Sequence, residues 1–399
     1  MIPFDFTTVF LLAAMMASFI AGEAALYGDT LTLHINVAPK IVQSGFDAST
    51  AEQIFVAESA RIVSGESIIP TPTLRVSSRP TVISALATPL RLDIVVGALQ
   101  DQFGYDRLVV NAAVVPGSGT EQHMLLVVEQ PRETPEQIRV TQADGDTAAL
   151  IRRGADATMA RVSPYRVAQA DYIKGLQYDA TALLDAKEMA ARYLARPWEP
   201  SRASERAMLY NLLALLTLLD VQSPAIGSKP PVADGNLATE AKTNSNITAA
   251  EGLLSMIDPI PGVLPEARGV VALNRAFLAV ARKQPAEALA FFQTGLGLSA
   301  NIKLPAFGAK ITMLNGLIVW SGGDMVQAER LFRTAIAALP NDEGPHAYLA
   351  QLLSAKGDEA GAEAERRIAI AVHPFDVEIP VFAQSIFWVD PINGGIKKH

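Results

Sequence analysis

A self-similarity of 34 residues near the carboxyl end constrains the fold of this chain more than any other feature. When the segment Gly323–Pro340 is shifted by 34 residues, nine identical residues superpose in one register. Such a repeat predicts one supersecondary unit that is used more than once and buries its apolar face only against its neighbours. The superposed residues are Gly323, Asp324, Ala328, Glu329, Arg333, Ala335, Ile336, Ala337 and Pro340 on Gly357, Asp358, Ala362, Glu363, Arg367, Ala369, Ile370, Ala371 and Pro374.

This repeat resembles the tetratricopeptide repeat family, in which two helices pair and small residues stand where the helices touch. The Gly-Asp pairs at 323–324 and 357–358 predict the tight turns between paired helices. The unit 309–342 fills the family's positions with Gly316, Ala328, Phe332, Ala335 and Pro340. The unit 343–376 keeps Ala350, Ala362, Ala369 and Pro374 but has Arg366 in the aromatic position.

Earlier units match less well. The unit 269–302 supplies Ala276, Ala288, Phe292 and Gly295, then loses register through NIKLPA at 301–306 and lacks the closing proline. Farther upstream, Arg206–Val221 and Ile247–Ile257 are predicted to form one degenerate helix pair. Because a stable stack needs at least about three units, the resemblance implies an all-α solenoid over residues 269–376.

The region before residue 140 has an α+β pattern. We predict a strand at 31–37, a helix at 49–63 with Ser49 or Thr50 as its cap, and a hairpin of strands 107–115 and 123–130. A strand at 71–78 and a helix at 95–104 are expected between them. Asp144 or Asp146 can cap the next helix, and Pro164 can open another. The order of these elements is loosely similar to that of TolB-type amino-terminal domains.

The amino terminus carries an apolar run at residues 9–26, which contains Glu23 as its only charge. Its length is near the lower limit for crossing a bilayer, so we predict a membrane anchor. A cleaved signal peptide, with Gly22 and Ala24 before the cleavage site, is the main rival, and a buried helix of a soluble protein is the third interpretation. The layout looks like that of bacterial membrane-anchored repeat proteins, which implies an inner-membrane protein with a single span and most of the chain in the periplasm.

Five segments follow from these patterns. The region 223–246 is rich in Pro, Gly, Ser and Asn, which predicts a long mobile loop.

The stretch 380–391 contains Phe382, Phe387 and Trp388 and is too apolar to face solvent, so it should fold over the last hairpin or join two copies of the chain. The expected segments are an anchor or signal at 1–28, an α+β domain at 29–140, a helical region at 141–268, the solenoid at 269–376 and an apolar capping segment at 377–399.

No pattern of catalytic residues stands out. The 33 Lys and Arg against 41 Asp and Glu give a net charge of −8, which disfavours a nucleic-acid partner. With no Cys and five scattered His, the chain offers no thiol nucleophile and no sequence signature of a metal site. A phosphate-binding loop is also missing, and GLGLSA at 295–300 fits a helix end better than a dinucleotide motif. We therefore expect a protein that is not an enzyme and has no cofactor.

The resemblance implies one surface for binding. In this family the first helix of each pair lines the inside of the solenoid, and its peptide-contacting positions define what we call the inner surface. Only Lys310 matches the basic residues with which related proteins hold acidic chaperone tails, so that partner is disfavoured. The alternative is that Phe277, Leu317 and Trp320 are packed in the core or covered by the carboxyl-terminal segment. The candidate residues of the inner surface are Phe277, Lys310, Met313, Leu317, Trp320 and Gln351.

Taken together, these features predict a noncatalytic, membrane-anchored scaffold of the bacterial envelope that binds protein partners through its repeats. A sensory or regulatory module, whose α+β domain binds a small ligand, is the alternative. An enzyme with a site assembled only by the fold is the third hypothesis. A ligand screen and a search for partners would separate the first two.

Overall fold

A computed structural model describes residues 31–43, 45–63, 108–129, 134–177, 180–198, 200–218, 237–302 and 305–372. These residues divide into two compact units, one that ends at Val162 and one that begins at Ser163. The first unit combines a sheet with helices, and the second is helical in its regular elements. The α+β region followed by an all-α region is thus confirmed.

The first unit is built on a four-stranded sheet in the order β1-β2-β3-β4. Strand β1 is parallel to β2, whereas β2, β3 and β4 form an antiparallel meander. Their bounds are Leu31–Val37 for β1, Leu108–Pro116 for β2, Gln122–Glu129 for β3 and Glu136–Gln142 for β4. In β1 the residues alternate, since Leu33 is buried and the next residue, His34, is exposed, which gives the sheet one apolar face.

Helices cover the apolar face of this sheet. They are α1 (Pro39–Val42), α2 (Ala48–Val63) and α3 (Thr147–Val162). Phe55 of α2 and Ile151 of α3 are completely buried in one cluster with Val110 and Leu126 of the sheet. Gly154 of α3 lies so close to Met124 that a side chain at 154 would overlap its sulfur atom. A larger residue at position 154 would therefore require the Met124 side chain to move.

The structure confirms some local predictions in this unit and corrects others. The strand at 31–37 and the following hairpin are confirmed, and Pro164 opens a helix as expected. The predicted caps of the helix at 49–63 were wrong, because the helix begins at Ala48 and the Asp47 carboxylate accepts the Thr50 N–H at 2.7 Å. Asp146 accepts the Ala149 N–H at 2.9 Å, so Asp146 rather than Asp144 caps α3.

The boundary between the two units also differs from the expected one. Helix α3 packs against α2 and the sheet, so the first unit extends to Val162 instead of ending at residue 140. Strand β4 was not predicted, although Ile138 and Val140 alternate with polar residues. The strand expected at 71–78 and the helix expected at 95–104 lie outside the described residues, as do the anchor at 9–26 and the tail at 377–399. Among the helices that the structure describes, none is both long and apolar enough to cross a bilayer.

The second unit consists of helices that pair in chain order. Helix α4 packs on α5, α6 on α7, α8 on α9, α10 on α11, and α12 on α13. The predicted degenerate pair near 206–257 is therefore present as α6 and α7. The helices span Pro164–Gln177 (α4), Ala180–Leu194 (α5), Ala203–Leu218 (α6), Leu237–Ser255 (α7), Pro265–Ala281 (α8), Pro285–Leu298 (α9), Pro305–Ser321 (α10), Met325–Ala338 (α11), Glu343–Ala355 (α12) and Glu359–Val372 (α13).

The prediction of a mobile loop over the whole of 223–246 is wrong for its last ten residues. Helix α7 begins at Leu237, so residues 237–246 are helical, and 223–236 lie outside the described residues. The two Gly-Asp turns are confirmed, because Gly323 and Gly357 have φ values of 97° and 84° between their helices. Such positive values are easy for glycine and strained for other residues. Consecutive hairpins also touch, which gives the unit a solenoid-like arrangement.

Candidate protein-interaction surface

Small residues allow the two helices of a hairpin to approach closely. A Cβ atom at Gly316 would lie 2.7 Å from Cε1 of Phe332, and one at Gly295 would lie 2.6 Å from Cγ of Leu273. Ala328 is fully buried in the same hairpin as Gly316. The positions that the repeat pattern assigned to small residues are thus positions of close helix contact.

The two helices of a hairpin have different environments. In α8 every residue from Gly269 to Ala279 is buried except Arg275, which is partly exposed. In α11 the buried residues are Ala328, Phe332 and Ala335, which form one stripe at spacings of four and three. The first helix of a hairpin therefore lies in the interior of the unit, and the second helix presents one side to solvent.

Aromatic rings connect the last two hairpins. Phe332 of α11 meets Trp320 of α10 edge to face, with the ring centroids 6.3 Å apart, and stacks on Tyr348 of α12 at 6.1 Å. Phe332 is fully buried, whereas Trp320 is partly exposed. Edge-to-face and offset stacked rings are favourable geometries. Phe332 therefore packs against one part of the Trp320 ring, and another part of the ring faces solvent.

The six predicted residues of the inner surface separate into two groups. Phe277 of α8 and Met313 and Leu317 of α10 are 1%, 0% and 5% exposed. Lys310 and Trp320 of α10 are partly exposed, and Gln351 of α12 is exposed. Phe277 and Leu317 are closed to solvent, as the alternative of packing or coverage expects, whereas Trp320, which the same alternative includes, is partly exposed. A partner that meets the surface in this state can reach only Lys310, Trp320 and Gln351.

Buried polar groups join the inner helices, and sequence reasoning did not single them out. The Asn274 side chain on α8 donates a hydrogen bond to Oδ1 of Asn211 on α6 at 2.6 Å, and both residues are at most 1% exposed. Glu205 of α6 accepts bonds from the Ser163 hydroxyl and the Tyr165 N–H at the start of α4. The sequence signal that could have indicated this pair is the single Asn in each of the largely apolar helices α6 and α8. These bonds fix the alignment of neighbouring hairpins, because a shifted partner would leave a buried amide unpaired.

Tyr172, on the first hairpin of the described unit, is a buried phenol with a raised pKa. Burial raises the pKa of the Tyr172 phenol on α4, and the charge of Glu343, at the start of α12, raises it further. Both side chains are almost completely buried. Tyr172 is therefore neutral at ordinary pH.

A histidine links the last hairpin to the turn before it. His346 on α12 is buried, with Nδ1 2.6 Å from a carboxylate oxygen of Glu365 on α13 and Nε2 3.1 Å from the Pro340 carbonyl. Both ring nitrogens therefore lie beside acceptor atoms. This arrangement holds α13 and the turn against α12. We assign it a role in packing.

The face of the sheet opposite its helices is mixed, since exposed Leu125 lies among polar side chains. Arg139 of β4 donates to Nε2 of His123 at 3.0 Å, and the other ring nitrogen of His123 lies 3.0 Å from the Thr141 hydroxyl. A bond from Arg139 leaves Nε2 as the acceptor, so Nδ1 carries the proton. Within the described parts of the chain, no three His, Cys, Asp or Glu side chains are grouped as a metal site would require.

Comparison with known proteins adds no relative to this picture. No protein-family model, no curated protein and no solved structure matches the chain.

Proposed function

We propose that this protein is a noncatalytic, membrane-anchored scaffold of the bacterial envelope, whose tetratricopeptide-like repeats bind protein partners. The observation that carries the proposal is the repeat itself: hairpins α10/α11 and α12/α13 have the same Gly-Asp turn, and Ala328 and Ala335 of α11 are buried at the positions of Ala362 and Ala369 of α13. A stack of similar hairpins offers an extended surface for a peptide or protein.

The exposed part of the inner surface supports this proposal by its chemistry. Trp320 presents an aromatic face, Lys310 a cation and Gln351 an amide that can both donate and accept hydrogen bonds. Tryptophan is common among residues that dominate binding energy, and an amide suits a peptide backbone. The three residues lie on consecutive inner helices, α10 and α12. An extended peptide with an apolar side chain and a nearby carboxylate fits these groups best.

Site-specific photo-crosslinking tests the proposal in cells. A photoreactive amino acid replaces Gln351 on the inner helix α12 or Gln293 on the outer helix α9, and both positions are exposed. We expect a discrete adduct with another protein from position 351 and none from position 293. The same adducts from both positions, or none from either, would contradict a binding role for the inner surface.

The anchor is the second part of the proposal and rests on the apolar run at 9–26. An anchored solenoid would hold its partner near the bilayer. This part can fail while the binding role stands, since a cleaved signal would release the same repeats into the periplasm. Its test is the extraction experiment given in the Discussion.

A further inference from the structure

The ring of His123, on the face of the sheet opposite its helices, lies between a group that only donates hydrogen bonds and a group that only accepts them. Its Nε2 atom is 3.0 Å from a terminal nitrogen of Arg139 and 3.8 Å from Oε2 of Glu121. A guanidinium has no acceptor, and an ionised carboxylate has no donor. The partner that can bond to Nε2 therefore depends on whether Nε2 carries a proton.

We propose that Glu121, His123, Arg139 and Thr141 form a proton-operated switch, in which protonation of His123 exchanges Arg139 for Glu121 as the partner of Nε2. The switch belongs to the first unit of the chain. It does not rest on the proposed binding role of the repeats, and neither proposal depends on the outcome of the other.

In the neutral state the ring proton is on Nδ1. Arg139 donates to Nε2, so Nε2 is unprotonated, and Nδ1 lies 3.0 Å from the Thr141 hydroxyl, to which it can donate. Thr141 is the register partner of His123 on β4, so the pairing of the strands sets this distance. The His123 side chain is 13% exposed, which limits competition from water for these two bonds.

A proton on Nε2 makes the contact with Arg139 unfavourable in two ways. Two donors would then face each other across 3.0 Å, and two positive charges would lie side by side. Protonation of His123 therefore releases the guanidinium. The same proton turns Nε2 into a donor and adds a charge-assisted attraction to the Glu121 carboxylate.

Glu121 is already placed to accept a hydrogen bond from Nε2. The turn that carries it is closed by backbone bonds from the Gly117 N–H to the Glu121 carbonyl at 2.7 Å and from the Glu121 N–H to the Ser118 carbonyl at 3.1 Å. The Ser118 hydroxyl also donates to Oε2 of Glu121 at 3.1 Å. A movement of about 1 Å brings Nε2 and this oxygen from 3.8 Å into the usual range of an N–H···O bond.

The neighbours of the ring on the side of β2 are uncharged. Val115 is the register partner of His123 on β2, and Gly117 comes so close that a Cβ atom there would lie 2.7 Å from Nε2. The charged groups that the described structure places against the ring are therefore Arg139 from β4 and Glu121 from β3.

The consequence of the switch is a change of charge on this face of the sheet. The charges of Arg139 and Glu121 cancel while His123 is neutral, and protonation of His123 leaves the cluster with a single positive charge. Histidines change their charge between about pH 5 and pH 8, so acidification over this range operates the switch. At low pH the face then offers a guanidinium that is occupied at higher pH.

Nitrogen NMR of the full-length protein with labelled histidine tests the neutral state, because the shifts of the two ring nitrogens report which of them carries the proton. At about pH 8 the proton of His123 should be on Nδ1. Arg139→Met removes the donor that keeps Nε2 unprotonated, so the ring should lose this preference. The matched control is Arg152→Met, which changes an exposed arginine of α3, and exposed His34 is an internal reference that neither variant should affect.

The protonated state is tested at about pH 5. The proton on Nε2 should then exchange slowly enough with water to be observed, because it is bonded to Glu121. Glu121→Ala should abolish this signal and leave the signal of the proton on Nδ1. Glu129→Ala, which removes an exposed carboxylate from the same strand, is the control and should change neither signal. Arg139 is exposed and Glu121 partly exposed, so both variants should fold.

Three results would overturn the proposal. A proton on Nε2 at about pH 8 in the unsubstituted protein would mean that Arg139 does not donate to the ring. An unchanged preference for Nδ1 in Arg139→Met would mean that Thr141 alone selects the neutral form. A signal from Nε2 that persists in Glu121→Ala would mean that another group accepts the proton.

Discussion

Lys283, in the turn between α8 and α9, has the left-handed backbone conformation that Gly323 has in the equivalent turn between α10 and α11, with φ values of 61° and 97°. Lys283 precedes Gly323 by 40 residues, and Gly357 follows Gly323 by 34, so the turn is kept although the repeat length is not. All three hairpins therefore share a left-handed residue in the turn between their helices. The turn at Lys283 also has a strained residue where the other two have glycine.

The first prediction follows from this strain. Lys283→Gly should raise the free energy of unfolding by about 1 kcal/mol, because a side chain in the left-handed region costs about that much. The neighbouring Gln284 has a φ of −112°, so Gln284→Gly is the matched control and should give no such gain. Urea denaturation of both variants is the measurement. A loss of stability in Lys283→Gly would show that the turn has another conformation.

The second prediction tests the close approach of the paired helices. Ala328 is fully buried and Ala337, on the same helix, is exposed. Ala328→Leu should lower the free energy of unfolding by about 1–3 kcal/mol through overpacking, whereas Ala337→Leu should have little effect. Thermal melting followed by circular dichroism compares them. Equal melting temperatures for the two variants would mean that the helices do not meet at Ala328.

The third prediction separates binding from packing at Trp320. Because the ring is partly exposed and contacts Phe332 only edge to face, Trp320→Ala should weaken partner binding by about 2 kcal/mol or more. Its cost in stability should be smaller than that of Phe332→Ala, which removes a fully buried ring and should cost about 3–5 kcal/mol. Crosslinking yield from position 351 and thermal melting are measured on the same samples. Full crosslinking by the folded Trp320→Ala protein would exclude the ring from the binding surface.

The fourth prediction concerns pH. Hydrogen bonds from Lys356 and then from Arg333 lower the pKa of Glu329 below its usual 4.5. The lowered pKa means that Glu329 stabilises the folded state above about pH 4.5 and loses this effect as the pH falls through its folded-state pKa. Glu329→Gln should therefore reduce the slope of the melting temperature against pH in that acidic range. Lys356→Gln should reproduce most of the change, and an identical slope in all three proteins would contradict the assignment.

The fifth prediction addresses the membrane anchor at residues 9–26. Leu12→Lys together with Met16→Lys should abolish membrane retention, since each central lysine costs about 2.5–3.5 kcal/mol on insertion scales. Carbonate extraction of isolated membranes measures this. Complete release of the unsubstituted, uncleaved protein would contradict an anchor, and a shortened mature amino terminus would indicate a signal peptide.

Strands, turns and helix contacts could be predicted from the sequence where they depend on nearby residues. Strand β1 follows from its alternating residues, and the turns at Gly323 and Gly357 follow from the 34-residue period. The small residues at Gly316 and Ala328 mark helix contacts because no larger side chain fits there. Each of these inferences depends on neighbours in the sequence or on a repeated spacing, and neither requires knowledge of distant contacts.

Only the tertiary structure decided the rest. Nothing in residues 147–162 indicates that α3 joins the sheet instead of the helices, because an apolar helix face fits either surface. Likewise, Phe277, Leu317 and Gln351 were equivalent as inner positions of a repeat, yet two are buried and one is exposed. The pairing of Asn211 with Asn274 joins residues far apart in the chain. The repeat period determines how each hairpin folds, but the burial of an inner residue depends on what the whole unit places opposite it.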